Sequence, residues 1–424
     1  MAPPCPKRAA GCIADMDDPL DSTPLEARKV PRARRILILG GDADGNLGDQ
    51  AILLSTCLGL AKAARGVELW TLSSRLRKLD QPIDARTIPR GPGRLFRLCV
   101  QAARSDLVLC GGGGLFQDDD SLVKMPYWGL RLALMRLFCR RIVGYSLGVG
   151  PLRAATSKAF ARLAFACMRR ITVRDPAARA SAALLTAKKL DILPDPAFLT
   201  PAASEAATRE WLQSHCVPLD GRPLIGVTTR RWFPVRYRLI PNRITAKFRK
   251  NIVDDSPKAK RYIDLLAESL DRLAKKHDAR VLFLPTYNVI HEGDDQVCAR
   301  LARAMAWPLK HMLIIDDSTL YKAVVGHLAV LVTGRMHPAI FAASAGTPFV
   351  ALAYNQKFFG LGDLLGSWPF VMDVNEFVDD RRVDDLCAMV EGALERRAGE
   401  LSERCRGFAA EVDAFNRRLV EELA

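Results

Sequence analysis

Arg335 and His337 stand two residues apart in Thr333-Gly334-Arg335-Met336-His337, between an apolar run, Leu328-Ala329-Val330-Leu331-Val332, and an alanine-rich one that opens at Pro338. Arginine presents a planar fork to a carboxylate or phosphate. Histidine can move a proton near neutral pH with little tuning. Together they describe an anion site with a proton donor, with Arg335 and Met336 on the binding side and His337 as the acid. The other five histidines read as structural, and none is spaced from His337 as a metal ligand would be. Two carboxylates could work on hydroxyl groups. Asp49 closes Gly45-Asn46-Leu47-Gly48-Asp49, where it also reads as a helix cap. Asp118 closes Gly111-Gly112-Gly113-Gly114-Leu115-Phe116-Gln117-Asp118, where it also reads as a solvated turn residue. Glycines such as Gly45, Gly48, Gly113 and Gly114 let a backbone approach a ligand closely. Arg174 is a further anion candidate, although Arg174-Asp175 by default reads as an ion pair. Arg230 and Arg231 open a stretch to Lys250 with eight basic residues, no acid, and interleaved Trp232, Phe233 and Tyr237.

These residues fall at the ends of strand-like runs. From Arg34 onward, apolar strands alternate with helical patterns: 35–39, 67–72, 106–110, 141–145 and 171–173 as strands, with helices near 49–65, 127–140, 157–169 and 176–186. The pattern restarts after Pro223 with strands at 224–227, 281–284, 312–315, 328–332 and 348–352. Helices fall near 260–277, 296–305, 318–326 and 338–345. Alternation of this kind is the signature of parallel sheets covered on both faces. The fold class is α/β, with two doubly wound Rossmann-like domains facing a cleft, at residues 34–205 and 223–380. Residues 1–33 read as a disordered extension without a signal-peptide core. Residues 206–222 read as a linker and 381–424 as a helical tail. In such sheets ligands sit outside the carboxyl ends of the strands, and a helix amino end there favours anions.

The 424 residues suffice for two domains and a sizeable core. Eleven cysteines are scattered without a Cys-x-x-Cys pair, which fits a reducing, cytoplasmic setting and signals no zinc ribbon. No run is long and apolar enough to span a bilayer. A net charge of +15 suits an acidic partner. Residues 230–250 are a candidate for contact with a phosphorylated substrate or the inner membrane surface. Nucleic acid is not expected, because the two-domain plan is not a nucleic-acid module. Neither a Gly-x-Gly-x-x-Gly fingerprint nor a P-loop is present.

Taken together, Gly45–Asp49, Gly112–Asp118, Gly148-Val149-Gly150-Pro151, Val173-Arg174-Asp175, Asp195-Pro196-Ala197-Phe198, Gly334–His337 and Tyr354-Asn355-Gln356-Lys357 resemble the motifs of the polysaccharide pyruvyl transferase family, in family order. Met336 stands where the family usually has leucine, a volume-conserving exchange. The resemblance implies a GT-B-like fold, phosphoenolpyruvate as donor and no further cofactor. It also implies a sugar or lipid-linked glycan as acceptor and a pyruvate ketal on a cell-surface polysaccharide as product. Arg335 then matches a donor-binding position. A nucleotide-sugar glycosyltransferase on the same fold, and a non-catalytic polyanion-binding protein, are the competing expectations.

Overall fold

The computed structural model describes residues 34–40, 46–64, 66–73, 84–89, 91, 93–118, 121–231, 256–287, 293–396 and 398–423. The extension 1–33, Gly45 and all but the first two residues of the 230–250 loop lie outside the described residues. The first half runs β1 (Arg34–Leu39), α1 (Leu47–Ala63), β2 (Val67–Thr71), β3 (Ala85–Thr87), α2 (Arg94–Arg104), β4 (Leu107–Gly111) and α3 (Lys124–Phe138). It continues through β5 (Ile142–Leu147), α4 (Ala155–Cys167), β6 (Arg170–Val173), α5 (Pro176–Ala183), β7 (Leu190–Ile192) and α6 (Glu205–Ser214). The second half runs β8 (Leu224–Thr228), α7 (Pro257–His277), β9 (Arg280–Phe283), α8 (Asp294–Ala304), β10 (Lys310–Met312), α9 (Ser318–Gly326) and β11 (Val330–Thr333). It ends in α10 (Met336–Ala345), β12 (Phe349–Ala353), α11 (Lys357–Leu364), β13 (Val371–Asp373), α12 (Val374–Asp379), α13 (Val383–Leu394) and α14 (Ala398–Glu421).

Both sheets are parallel, ordered β3-β2-β1-β4-β5-β6-β7 and β10-β9-β8-β11-β12-β13. Each is the Rossmann order, so each has a switch point, between β1 and β4 in one and β8 and β11 in the other. Central strands such as β4 and β8 are buried along their whole length, which explains their unbroken apolar sequence. Polar residues start the helices: Asn46 accepts from Gly48 N on α1 and Asp175 from Ala178 N on α5. Four short strands and α2 were not expected from sequence at all or were misplaced by a few residues. For instance, β10 pairs at 310–312, not 312–315; beyond it Ile314 is 51 % exposed while Leu313 and Ile315 enter the core.

Helix α1 covers one face of the first sheet and α2 to α5 cover the other. One core then crosses between the domains: Leu47, Ala51 and Ile52 of α1 pack with Met336, Ala339 and Ile340 of α10. Segment 206–222 is not an open linker. Ser204 caps α6, and Leu212 and Val217 are buried in the second domain's core. Nor is 381–424 an appendage. Helix α13 packs on the second sheet, and α14 returns to the first, where Val412, Phe415, Leu419 and Val420 pack against α1 and β1. The Asn416 Oδ1 accepts from the buried Tyr145 hydroxyl at 2.8 Å. Each of those apolar side chains contributes roughly 1.5–3 kcal/mol by burial, together comparable to a domain's net stability. Truncation after residue 396 is therefore expected to abolish cooperative thermal unfolding, measured by circular dichroism, whereas truncation after 423 leaves it intact.

Candidate active site

The carboxyl ends of the two sheets face each other, and the sequence motifs meet there. Asn46 forms a bridge with Tyr287 and Leu47 N donates to Thr286 O, so the start of α1 is tied to the end of β9 across the domains. His337, in the first turn of α10, projects onto Gly48. A Cβ at residue 48 would lie 2.0 Å from His337 Nδ1, so only glycine permits this contact. Asp49 follows, held by Asn46 Nδ2 at 2.9 Å. Its Oδ1 lies 3.3 Å from where a Cβ on Gly113 would be, and Gly113 itself has φ +82°, open to glycine at no cost. At Gly114 the same place belongs to Lys357, whose Nζ would be 2.7 Å from a Cβ. Lys357 thus reaches from the start of α11 to the glycine loop of the first domain.

On the other side of His337 lies Asp195, which caps a short 3-10 turn through Ala197 N at 3.0 Å. Its second oxygen, Oδ2, is 3.8 Å from His337 Nε2 and 3.8 Å from Arg174 Nη1. Both separations exceed a hydrogen bond. His337 Nε2 and Asp195 Oδ2 are buried and have no hydrogen-bond partner. Buried polar atoms are nearly always satisfied, so two facing orphans require an explanation, and a ligand supplies one. Arg174 is buried too, with Nε on Asp175 Oδ2 at 3.0 Å, so the expected ion pair exists and also turns the guanidinium toward Asp195.

Burial pushes the His337 imidazole down, and the nearby Arg174, Lys357 and Arg335 add to this against the opposing Asp195, leaving its pKa at about 4. The ring is therefore neutral near pH 7. The same three cations surround the ring, Arg174 paired with Asp175 and Arg335 with Asp294. An anion bound among them would reverse the effect and favour the imidazolium.

Arg335 does not hang free. Its Nε and Nη2 grip Asp294 at 3.0 and 2.5 Å, and Asp294 is fully buried at the start of α8. Thr286 Oγ1 and Tyr287 N also donate to Asp294, each at 3.2 Å. The fork is oriented by this carboxylate and stacks 5.2 Å from the Tyr287 ring. Met336 is core, 7 % exposed. Arg230 lies over the Tyr354 ring at 3.9 Å, at the neighbouring end of β8, with half-buried Arg231 beside it.

Asp118 is the clear departure from the sequence reading. It is fully buried, and its carboxylate accepts from Arg153 N and Ala154 N at 2.9–3.1 Å, closing the start of α4. A carboxylate spent on backbone amides in the interior is not placed to handle substrate. Asp195 and Lys357 belonged to motifs already noted, but nothing in their spacing marked them as site residues. Asp294 carried no signal, since it reads as an ordinary acid in a helix's first turn. Among the described residues no group of three or more His, Cys, Asp or Glu side chains converges as metal ligands.

The described residues match solved structures across most of their length. UDP-GlcNAc 2-epimerase from Neisseria meningitidis is 12 % identical, with a TM-score of 0.57, covering 92 % of this chain and 100 % of that one. A glycosyltransferase from Rickettsia africae is 10 % identical with a TM-score of 0.56, covering 93 % and 99 %. UDP-GlcNAc 2-epimerase from Methanocaldococcus jannaschii gives 10 % and 0.56, covering 89 % and 99 %. Likeness at these identities is one of fold, and it is the GT-B-like fold expected from sequence. No curated protein matches the chain in sequence. The profile of one family, polysaccharide pyruvyl transferase, matches residues 46–356, from the cap of α1 to the residue before Lys357. That span holds the glycine loops, Arg174, Asp195 and the Arg335–His337 turn, and the chain belongs to the polysaccharide pyruvyl transferase family.

Proposed function

We propose that the protein transfers the enolpyruvyl group of phosphoenolpyruvate to two hydroxyls of one sugar residue in a cell-surface glycan or its lipid-linked precursor, forming a pyruvate ketal. The observation that carries this reading is the pair of unpartnered buried atoms, His337 Nε2 and Asp195 Oδ2, set among Arg174, Arg335 and Lys357. Phosphoenolpyruvate brings a carboxylate and a phosphate, which suit several cations rather than one. It also carries an enol carbon that must be protonated before C2 becomes electrophilic.

In this reading the donor's negative charge restores a proton to His337, and His337 passes it to C3, making a methyl group. The resulting cation at C2 is attacked by one sugar hydroxyl. The C2–O bond to phosphate breaks, and the second hydroxyl closes the ketal. Of the two hydroxyl protons, one replaces that spent on C3 and the other leaves on phosphate, so the reaction consumes no net proton. Asp49, in the first turn of α1 and one residue from the Gly48–His337 contact, receives a hydroxyl proton in this reading. Gly113 and Gly114 let Asp49 and Lys357 close on the glycine loop of the acceptor side, and Arg230 and Arg231 border the donor side.

Calorimetry with phosphoenolpyruvate, followed by phosphate release with diol-bearing glycans, tests this. Binding of a uridine or guanosine sugar nucleotide, without binding of phosphoenolpyruvate, would overturn it in favour of a glycosyltransferase. A second test uses the Gly48 contact. Gly48→Ala has no backbone penalty but drives a methyl into His337. It is expected to lower phosphate release by roughly 10²-fold by misplacing the acid, with a stability loss of about 1–3 kcal/mol. Activity near wild type would show that His337 need not occupy its observed position.

A further inference from the structure

Helices α2, α3 and α4 lie side by side on one face of the first sheet and carry three, three and two basic side chains with no acid among them. Eight of the twelve exposed large hydrophobic side chains of the described residues sit on these helices or on Val123, the cap of α3. On α3 they form a stripe. Tyr127, Leu130 and Leu137 are 54–78 % exposed and, with half-buried Leu134 between them, recur every three or four residues. The opposite side of the same helix, Met125, Trp128, Leu132 and Met135, is buried against the sheet. Phe96 on α2, 72 % exposed, and Leu163 on α4 extend the apolar surface. Arg131 lies 5.4 Å from the Tyr127 ring, its stem along the stripe. A helix that satisfies its core on one side and still presents an apolar stripe on the other is missing a partner.

We propose that this face docks on an anionic lipid bilayer. The chemistry is that of an interfacial surface, with leucine and aromatic groups entering the headgroup–acyl boundary and arginine and lysine meeting lipid phosphates. Charge argues against a second copy as occupant, because a two-fold contact would set one acid-free cationic face on another. The position also fits. Helices α3 and α4 follow β4 and β5, whose carboxyl ends carry Gly113, Gly114 and Gly148, so the face begins beside the candidate acceptor side of the site. The inference goes beyond the proposed reaction and is read out without turnover.

The test is co-sedimentation of the full chain with vesicles of phosphatidylcholine alone or mixed equally with phosphatidylglycerol. The chain is expected to bind the mixed vesicles and to be released by salt. Leu130→Glu with Leu137→Glu should weaken that partition by about tenfold or more. Arg97→Glu with Arg136→Glu should weaken it by roughly fivefold or more per charge. Leu130, Arg136 and Leu137 are exposed and Arg97 is half-buried, and an unchanged thermal midpoint confirms that the variants fold. Three results would overturn the proposal: no binding of the wild type to either vesicle, binding that only charge removal within 230–250 abolishes, or a dimer by light scattering that the Leu130→Glu, Leu137→Glu variant splits.

Discussion

His337→Gln is expected to lower kcat for phosphate release by roughly 10²- to 10⁴-fold, the usual contribution of a general acid. The effect on donor affinity distinguishes this from simple damage. His337 is held at a pKa of about 4 by burial and by Arg174, Lys357 and Arg335. An anionic donor seated among those cations raises that value, so the complex carries a proton that the free protein lacks. By linkage, binding takes up protons, and phosphoenolpyruvate affinity rises as pH falls from neutrality toward about 4, levelling once free His337 is itself protonated. Calorimetry in two buffers of different ionisation enthalpy measures the uptake directly. In His337→Gln the uptake should vanish while binding persists. Equal proton uptake in variant and wild type would assign the proton to another group.

The second large effect concerns the Arg335–Asp294 pair. Asp294 is fully buried, and Arg335 meets it with two nitrogens. Arg335→Leu removes two charged donors from a buried carboxylate that also accepts from Thr286 Oγ1 and Tyr287 N. The expected loss is about 3–5 kcal/mol of stability, read as a shift in the urea midpoint, and donor binding is lost with it. Asp294→Leu leaves the arginine without its orienting carboxylate and should cost a similar amount. The double variant, Arg335→Leu with Asp294→Leu, separates stability from function. Replacing both charges by apolar groups is often neutral, so stability should recover while phosphoenolpyruvate binding does not. A double variant that binds donor like the wild type would remove Arg335 from the binding machinery. One that stays as unstable as the single variants would mean that Thr286 and Tyr287, which also donate to Asp294, depend on that carboxylate.

Much of the fold was legible because parallel strands buried on both faces are unbroken apolar runs, and several of the helices between them start on polar caps such as Asn46, Asp175 and Asp317. Among the elements that escaped were three-residue edge strands such as β3 and β13, too short to show a period, and α2, which starts at Gly93 without a side-chain cap to announce it. The α6 segment and the α14 return were also missed as parts of the core, because a sequence shows that a helix is amphipathic but not which domain it covers. The same limit governed the site. Asp49 and Asp118 look alike in sequence, each an acid closing a glycine-rich turn. Only packing separates them, leaving Asp49 beside the Gly48–His337 contact and spending Asp118 on the backbone of Arg153 and Ala154.

Sequence alone determined that this chain alternates strand and helix in two tandem sheets, places Arg335 and His337 at a strand-to-helix turn, and carries the ordered motifs of its family. Those properties are local, written in residue type and spacing. The tertiary structure decided which charges are spent and which are held open. It gave Arg335 to Asp294, brought Lys357 over Gly114, and set Asp195 and His337 face to face with unused hydrogen-bonding capacity. These partners lie tens to hundreds of residues apart, and their charge states depend on burial and on neighbours from both domains, which no local pattern encodes.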